Sequence, residues 1–401
     1  MKGRKKRILA LGQAGRQTGY ARVMSNILSR LSDTFDITLL AVDYQGPEIQ
    51  HSGYKVVPNT RLGDQLGKAQ FPRLLTEYEP DLVFLCHDHT FYSVHQCALD
   101  EFRRRNRRLR VVVYCPIEFH DTPRGNLTPL AGADCVVFYT KFGLAVFERA
   151  CADAGIPRVP STTIIPHGLD SSIFYPLSST RNESRRLARL ELFPDRPELQ
   201  DAFIVLNANR NCPRKRIDLT LRAFAEFARG KRDTYLYVHM GMIDSGYDIL
   251  ALATSLSIDD RLLVTPASER RPNVPDWRLN LIYNACDVGV NTATGEGWGF
   301  VAFEHGATFA AQLVPDHSAC RELWKGAGGL IGLQDSALEG SSHSAGVVSI
   351  RDLSRWLDRL YARPELLLDY AERAYRHARR REFRWDTITQ RWQGVFTGLW
   401  S

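Results

Sequence analysis

Short apolar runs punctuate the first half of the chain: Ile8-Leu9-Ala10-Leu11, Ile37-Thr38-Leu39-Leu40, Leu82-Val83-Phe84-Leu85, Val111-Val112-Val113-Tyr114, Val136-Val137-Phe138-Tyr139 and Thr163-Ile164-Ile165. Each is four or so residues of continuous apolar character, which predicts a strand buried on both faces rather than one that alternates between core and water. Between several of them the apolar positions recur at helical spacing, as in Tyr20 to Leu31 and Phe142 to Ala152. Buried strands alternating with amphipathic helices predict a doubly wound parallel sheet, with ligands expected at the carboxyl ends of the strands.

Residues 177 to about 200 are polar and charged, and predict a linker with a short helix. A second α/β pattern then opens with a strand at Phe203 to Asn207 and a helix carrying Ile217, Leu221, Phe224 and Phe227 on one side. Further strands are predicted at Tyr235 to His239, Leu262 to Val264 and Val288 to Val290. The last runs into Gly295-Glu296-Gly297-Trp298-Gly299-Phe300-Val301-Ala302-Phe303-Glu304, where the glycines mark a strand-loop-helix corner and Val301, Phe303, Ala307 and Ala310 are expected to face inward. Backbone N–H groups at Gly297 to Phe300 would point outward at such a helix start and attract phosphate or hydroxyl oxygens.

A chain of 401 residues is longer than one core usually serves, which agrees with two domains. No apolar stretch has the length of a membrane span, and the basic N-terminus is followed by too short an apolar run for an export signal. Eight cysteines are scattered without metal-ligand spacing, as expected of reduced thiols in a cytoplasmic protein. The net charge of +7 is clustered at 4–7, 103–110 and 376–381. Such runs can dock DNA or an anionic membrane surface, although the second and third fall at expected helix ends, where cations complement the helix dipole. Arg61 to Leu75 is the candidate for an amphipathic membrane contact.

Candidate chemistry gathers at strand ends. Gly12 to Gly19 is a glycine-rich turn after the first strand; it includes Gly15, Arg16 and Gly19, and matches neither the dinucleotide fingerprint nor a P-loop. Cys86-His87-Asp88-His89 follows the Leu82 strand, but without a third ligand at a recognisable spacing it points to polar substrate contacts rather than a metal. His120 follows the Val111 strand. Arg210 and Lys215 bracket a loop after the Phe203 strand, and two fixed cations there could neutralise a diphosphate.

Glu296-x7-Glu304 enclosing Gly-Trp-Gly-Phe resembles the E-x7-E signature of the retaining nucleotide-sugar glycosyltransferases of family 4, which have the GT-B fold. The Arg210-x4-Lys215 pair, His120, the turn Ile165-Pro166-His167-Gly168-Leu169-Asp170 (with His167 where the family has asparagine) and the final segment from Phe383 are similar to the same family, so the resemblance runs from about residue 8 to the C-terminus. The segment Ala310 to Leu323 departs from the glycine-and-proline turn usual in the family.

The resemblance implies two Rossmann-like doubly wound domains facing a central cleft, at 1–170 and 201–380, with a linker at 171–200 and a C-terminal helix at 381–401 crossing back to the first domain. It implies retention of configuration without metal or cofactor, from a UDP- or GDP-linked donor. Arg210 and Lys215 would support the leaving diphosphate. Glu304 would hold the ribose, Glu296 and the Gly297–Phe300 amides the sugar and nearest phosphate, and His120 would steady the sugar. Gly15 and Gly19 would approach the donor, while Arg16, His87, Asp88 and His89 would face the acceptor. The basic runs favour a polyanionic acceptor such as a hydroxymethylated base in DNA; a lipid or saccharide at a cytoplasmic membrane face is the alternative, and a non-catalytic nucleotide or nucleic-acid binder is a reading of another class. No protein partner is implied.

Overall fold

The computed structural model describes residues 4–14, 18–61, 63–266, 272–334 and 346–400. The chain divides into two compact units, Met1–Gly168 with Glu382–Ser401, and Leu169–Arg381.

The first unit holds strands β1 (Arg7–Gly12), β2 (Asp36–Ala41), β3 (Ile49–His51), β4 (Tyr54–Pro58), β5 (Leu82–Cys86), β6 (Arg110–Cys115), β7 (Cys135–Phe138) and β8 (Ser161–Ile164). They form one sheet in the order β3-β4-β2-β1-β5-β6-β7-β8, parallel except for β3, which pairs antiparallel with β4 at the edge. The order reverses between β1 and β5, which makes the carboxyl ends of those strands the switch point where an open sheet leaves a crevice. The β3–β4 hairpin escapes sequence reading because Ile49–His51 is exposed throughout and carries no core pattern.

Helix Gly19–Leu31 starts where the Thr18 side chain accepts a hydrogen bond from the Ala21 amide, and buries Val23, Met24, Ile27, Leu28 and Leu31 at helical spacing. Helix Lys141–Asp153 is capped in the same way by Thr140. The C-terminal helix Trp385–Gly398 belongs to this unit. Its Trp392 and Phe396 pack against Phe84 of β5 at ring distances of 5.0 and 5.3 Å. A Cβ on Gly168 would meet the Trp385 indole at 2.4 Å, so the chain can pass under that ring only as glycine.

One sequence expectation is corrected here. Arg61 to Leu75 is no amphipathic membrane helix: the helix begins only at Phe71 and runs to Tyr78, and Phe71, Leu74 and Leu75 are spent in the core. Several cations of the basic runs are paired within the protein. Lys6 pairs with Asp81 and Arg7 with Glu79, while Arg103 and Arg110 share Asp134. Arg103, Arg104 and Arg105 occupy the last turn of helix Phe91–Arg105, and Arg376 the last turn of Pro364–Ala378.

In the second unit β9 (Phe203–Asn207), β10 (Thr234–Val238), β11 (Leu262–Val264), β12 (Val288–Val290), β13 (Ala311–Pro315) and β14 (Gly329–Ile331) form a sheet in the order β11-β10-β9-β12-β13-β14, with every pairing parallel. Its switch point lies between β9 and β12. The segment that departs from the family pattern still forms a buried strand, β13, because Ala311, Leu313 and Val314 suit an interior position.

Residues 181–192, within the stretch expected as a linker, form a helix that belongs to the second unit. Arg181 and Arg189 reach the buried Asp287 carboxylate at 2.8 and 2.9 Å, and Arg189 also donates to the Ala285 carbonyl. The corner helix is shorter than its apolar pattern suggested: it spans Phe300–Gly306 and is buried from Ala302 to Gly306, while Val301 is only partly covered. No described helix is long and apolar enough to cross a membrane.

Candidate functional site

The second unit's switch point collects most of the residues singled out from sequence. After β9 the chain turns through a short 3-10 segment, Pro213–Lys215, and Arg216 takes a left-handed conformation before helix Ile217–Phe227 begins. This turn drives Lys215 inward. Its ammonium donates to Glu296 Oε1 and, at 3.1 Å, to Asn209 Oδ1. Glu296 comes from the loop after β12, where Asn291 Nδ2 donates to the same carboxylate at 2.9 Å and Arg214 lies 3.4 Å from its other oxygen.

Burial by itself would raise the Glu296 pKa. The charges of Lys215 and Arg214, with the hydrogen bonds from Lys215 and Asn291, outweigh it and lower the value to about 2. Glu296 is therefore a fixed anion, able to accept hydrogen bonds and unsuited to donate a proton. The two loops are laced together beyond this pair. The Thr294 amide donates to the Arg214 carbonyl at 2.9 Å, and the Thr292 hydroxyl donates to the carbonyls of Lys215 and Arg216 at 3.1 and 2.9 Å.

Arg210, from the same strand end, does not join the cluster. Its half-exposed guanidinium bonds Asp244 at 2.8 Å, and that carboxylate keeps its pKa above the usual arginine value. Glu304 lies on the corner helix, is 7% exposed and accepts from the Tyr283 hydroxyl at 3.0 Å. Trp298 stacks on Phe303 with ring centroids 4.7 Å apart, so its indole anchors the loop to the core; Gly297 is buried beside it, and Gly299, at φ +88°, makes the turn into Phe300. Sequence reading missed Arg214, Asn209, Asn291, Asp244 and Tyr283. Arg214 was visible inside the basic loop, whereas the others carry no local signal and are recruited by chain crossing.

In the first unit, the switch point between β1 and β5 carries a second polar group. Gln13 Nε2 lies 3.3 Å from His87 Nε2, and the Tyr20 hydroxyl donates to Asp88 at 2.6 Å. The His87 ring stacks between Tyr20 and Phe91. Burial holds His87 and His89 below the usual histidine range, although Asp88 pulls both the other way. A cleft of about 560 Å³ opens here, lined by Gln13, Asp43, Gln45, Arg61, Gln65 and His87 among others. Gly19 starts helix Gly19–Leu31, while Gly15 and Arg16 lie outside the described residues. His120 is exposed, edge-on to Phe142 at 4.5 Å, and burial followed by the nearby Arg149 charge lowers its pKa. Among the described residues, no group of three or more His, Cys, Asp or Glu side chains is gathered closely enough to hold a metal ion, and His87-Asp88-His89 is not one.

No protein-family model matches the chain, and no curated protein sequence matches it significantly. Solved structures do. Sucrose-phosphate synthase from Thermosynechococcus elongatus superposes with a TM-score of 0.73 at 16% identity, covering 98% of this chain and 99% of that one. HepE from Anabaena, in complex with UDP and glucose, gives 0.71 at 17% identity, with 98% and 100% covered. The α,α-trehalose 6-phosphate synthase from Burkholderia multivorans gives 0.68 at 13%, with 99% of each chain covered. Likeness at such identity is likeness of architecture, and it extends over both parallel-sheet units and the final helix: the chain has the GT-B fold.

Proposed function

We propose that this chain is a retaining glycosyltransferase that moves a sugar from a nucleoside diphosphate to a hydroxyl acceptor without a metal ion. The observation that carries the reading is the Lys215–Glu296 pair at the switch point, with Arg214 on the same carboxylate and Arg210 at the same strand end. Lys215 and Arg214 against Glu296 leave one positive charge in excess at the strand end, where a departing diphosphate needs preorganised donors. Glu296, held ionised, suits hydroxyls of the transferred sugar. Glu304, with Tyr283 behind it, suits the ribose. The HepE structures with UDP and UDP-glucose support a uridine-linked donor.

In the step proposed, the acceptor oxygen attacks the anomeric carbon from the face that the phosphate leaves. The bond from C1 to the phosphate oxygen breaks as the new C1–O bond forms, and the acceptor proton passes to the leaving phosphate. No carboxylate nucleophile is required. Arg210 and Lys215 take the role that a divalent cation plays elsewhere. His120 is assigned to the transferred sugar, and the amides of Gly297, Trp298, Gly299 and Phe300 to its nearest phosphate.

For the acceptor, the structure of the first unit favours a neutral polyhydroxyl compound over a polyanion. Among the described residues that line it, the cleft at the end of β1 carries amides and carboxylates with Arg61 as the one arginine or lysine, and Lys6, Arg7, Arg103 and Arg110 of the basic runs are paired within the first unit. The test is a turnover screen of purified protein with UDP-, GDP- and ADP-sugars. Each is offered saccharides, hydroxymethylated DNA, unmodified DNA, anionic vesicles or no acceptor, with nucleotide release and acceptor mass as readouts. A sugar-sized mass gain on a saccharide is expected. A gain confined to hydroxymethylated DNA would reverse the acceptor assignment, and nucleotide binding with no release under any condition would replace the enzyme reading by that of a binder.

A further inference from the structure

The loop after β13 carries an unusual device. Ser318 is one of the few non-glycine residues with a positive φ, +47°, a conformation that an L side chain adopts only at a cost. It is 6% exposed and its neighbour His317 9%. The Ser318 hydroxyl sits in the middle of a chain of three contacts and makes two of them itself. His317 Nε2 lies 3.0 Å from the Ala293 carbonyl, His317 Nδ1 lies 2.9 Å from Ser318 Oγ, and the Glu296 amide donates to Ser318 Oγ at 3.3 Å.

A carbonyl can only accept, so Nε2 of a neutral His317 must carry the proton and donate to Ala293. Nδ1 is then an acceptor, so the Ser318 hydroxyl donates to it and keeps its lone pairs for the Glu296 N–H. Each bond in the chain fixes the direction of the next. The loop 293–296 is thus held from two sides, by Arg214 through Thr294 and Glu296, and by His317–Ser318 through Ala293 and Glu296.

We propose that His317 and Ser318 are positioning residues, which set the backbone of Glu296 so that its carboxylate meets the transferred sugar in one orientation. The role rests on the glycosyltransferase reading; the tether itself does not. A sugar-binding carboxylate displaced by about an ångström loses rate more than affinity, because alignment matters most in the transition state. In its left-handed conformation the Ser318 hydroxyl reaches both partners.

The test uses the full chain with Ser318→Gly, Ser318→Ala, His317→Ala and His317→Gln, and two readouts. One is donor turnover, split into kcat and KM. The other is hydrogen exchange of the segment containing the Glu296 amide. Ser318→Gly relieves the left-handed backbone while removing the hydroxyl, so it should melt close to wild type. Its kcat should nevertheless fall roughly tenfold to a hundredfold with little change in donor KM. Exchange at the Glu296 segment should accelerate in both serine variants. His317→Gln can still donate to the Ala293 carbonyl and should recover part of what His317→Ala loses. Wild-type kcat in Ser318→Gly and Ser318→Ala would overturn the positioning role, and unchanged exchange would overturn the tether. If wild-type protein turns over no nucleotide sugar, the glycosyltransferase reading and the positioning role fall together, and exchange alone then decides whether Ser318 holds Glu296.

Discussion

The Lys215 ammonium is bonded to the Glu296 carboxylate inside the second unit, although 81 positions separate the two residues in the chain. Folding brings them together because parallel β9 and β12 are neighbours, so the loops leaving their carboxyl ends must meet.

This pair gives stability an acid limb. The Glu296 pKa lies at about 2, below its ordinary 4.5. A lowered folded-state pKa means that the unfolded chain binds the proton more readily, so the stability from this group is fully present above about pH 5 and is lost as the pH falls towards 2. Urea unfolding of wild type and Glu296→Gln between pH 2 and pH 7 should show the difference between them shrinking across that window. A constant difference would refute the assignment.

Asp287 is fully buried and accepts from Arg181, Arg189 and the Ile204 amide. Asp287→Ala would leave the buried guanidiniums without their counter-ion and should destabilise the second unit by about 3–5 kcal/mol. Denaturant midpoints measure this directly, and a loss below about 1 kcal/mol would show that the arginines are satisfied by carbonyls alone.

Arg210 offers a cleaner probe of catalysis than Lys215, because its guanidinium is half exposed and bonds the buried Asp244 carboxylate at the strand end, outside the Glu296 cluster. The double variant Arg210→Ala with Asp244→Asn, which leaves no unpaired buried charge, should stay folded while turnover falls by roughly a hundredfold or more. Activity close to wild type would remove Arg210 from support of the leaving diphosphate.

Tyr283→Phe deletes the hydrogen bond to Glu304 without changing packing. If Glu304 holds the ribose, UDP affinity measured by titration calorimetry should weaken by roughly tenfold in this variant, and further in Glu304→Ala. Unchanged affinity in both would detach Glu304 from the nucleotide.

Turnover in excess EDTA should equal turnover without it, since the charge on the leaving group is assigned to side chains. A strict requirement for added divalent cation would contradict that assignment.

The amino-acid sequence by itself determined the two α/β patterns, because a strand buried on both faces must be continuously apolar and its flanking helices must repeat at helical spacing. It also marked the glycine corner at 295–299 and the basic loop at 210–216, whose composition is a local property. It could not reveal the β3–β4 hairpin, whose outer strand buries nothing, and it misread Arg61 to Leu75, whose apolar residues serve the core. Only the tertiary structure decided the pairing within the site. Which carboxylate lies beside Lys215, why Arg210 turns to Asp244, and how His317 and Ser318 reach the Glu296 backbone all depend on loops from different strands converging at one switch point. Residues distant in sequence carry no mark of one another until the sheet order makes them neighbours.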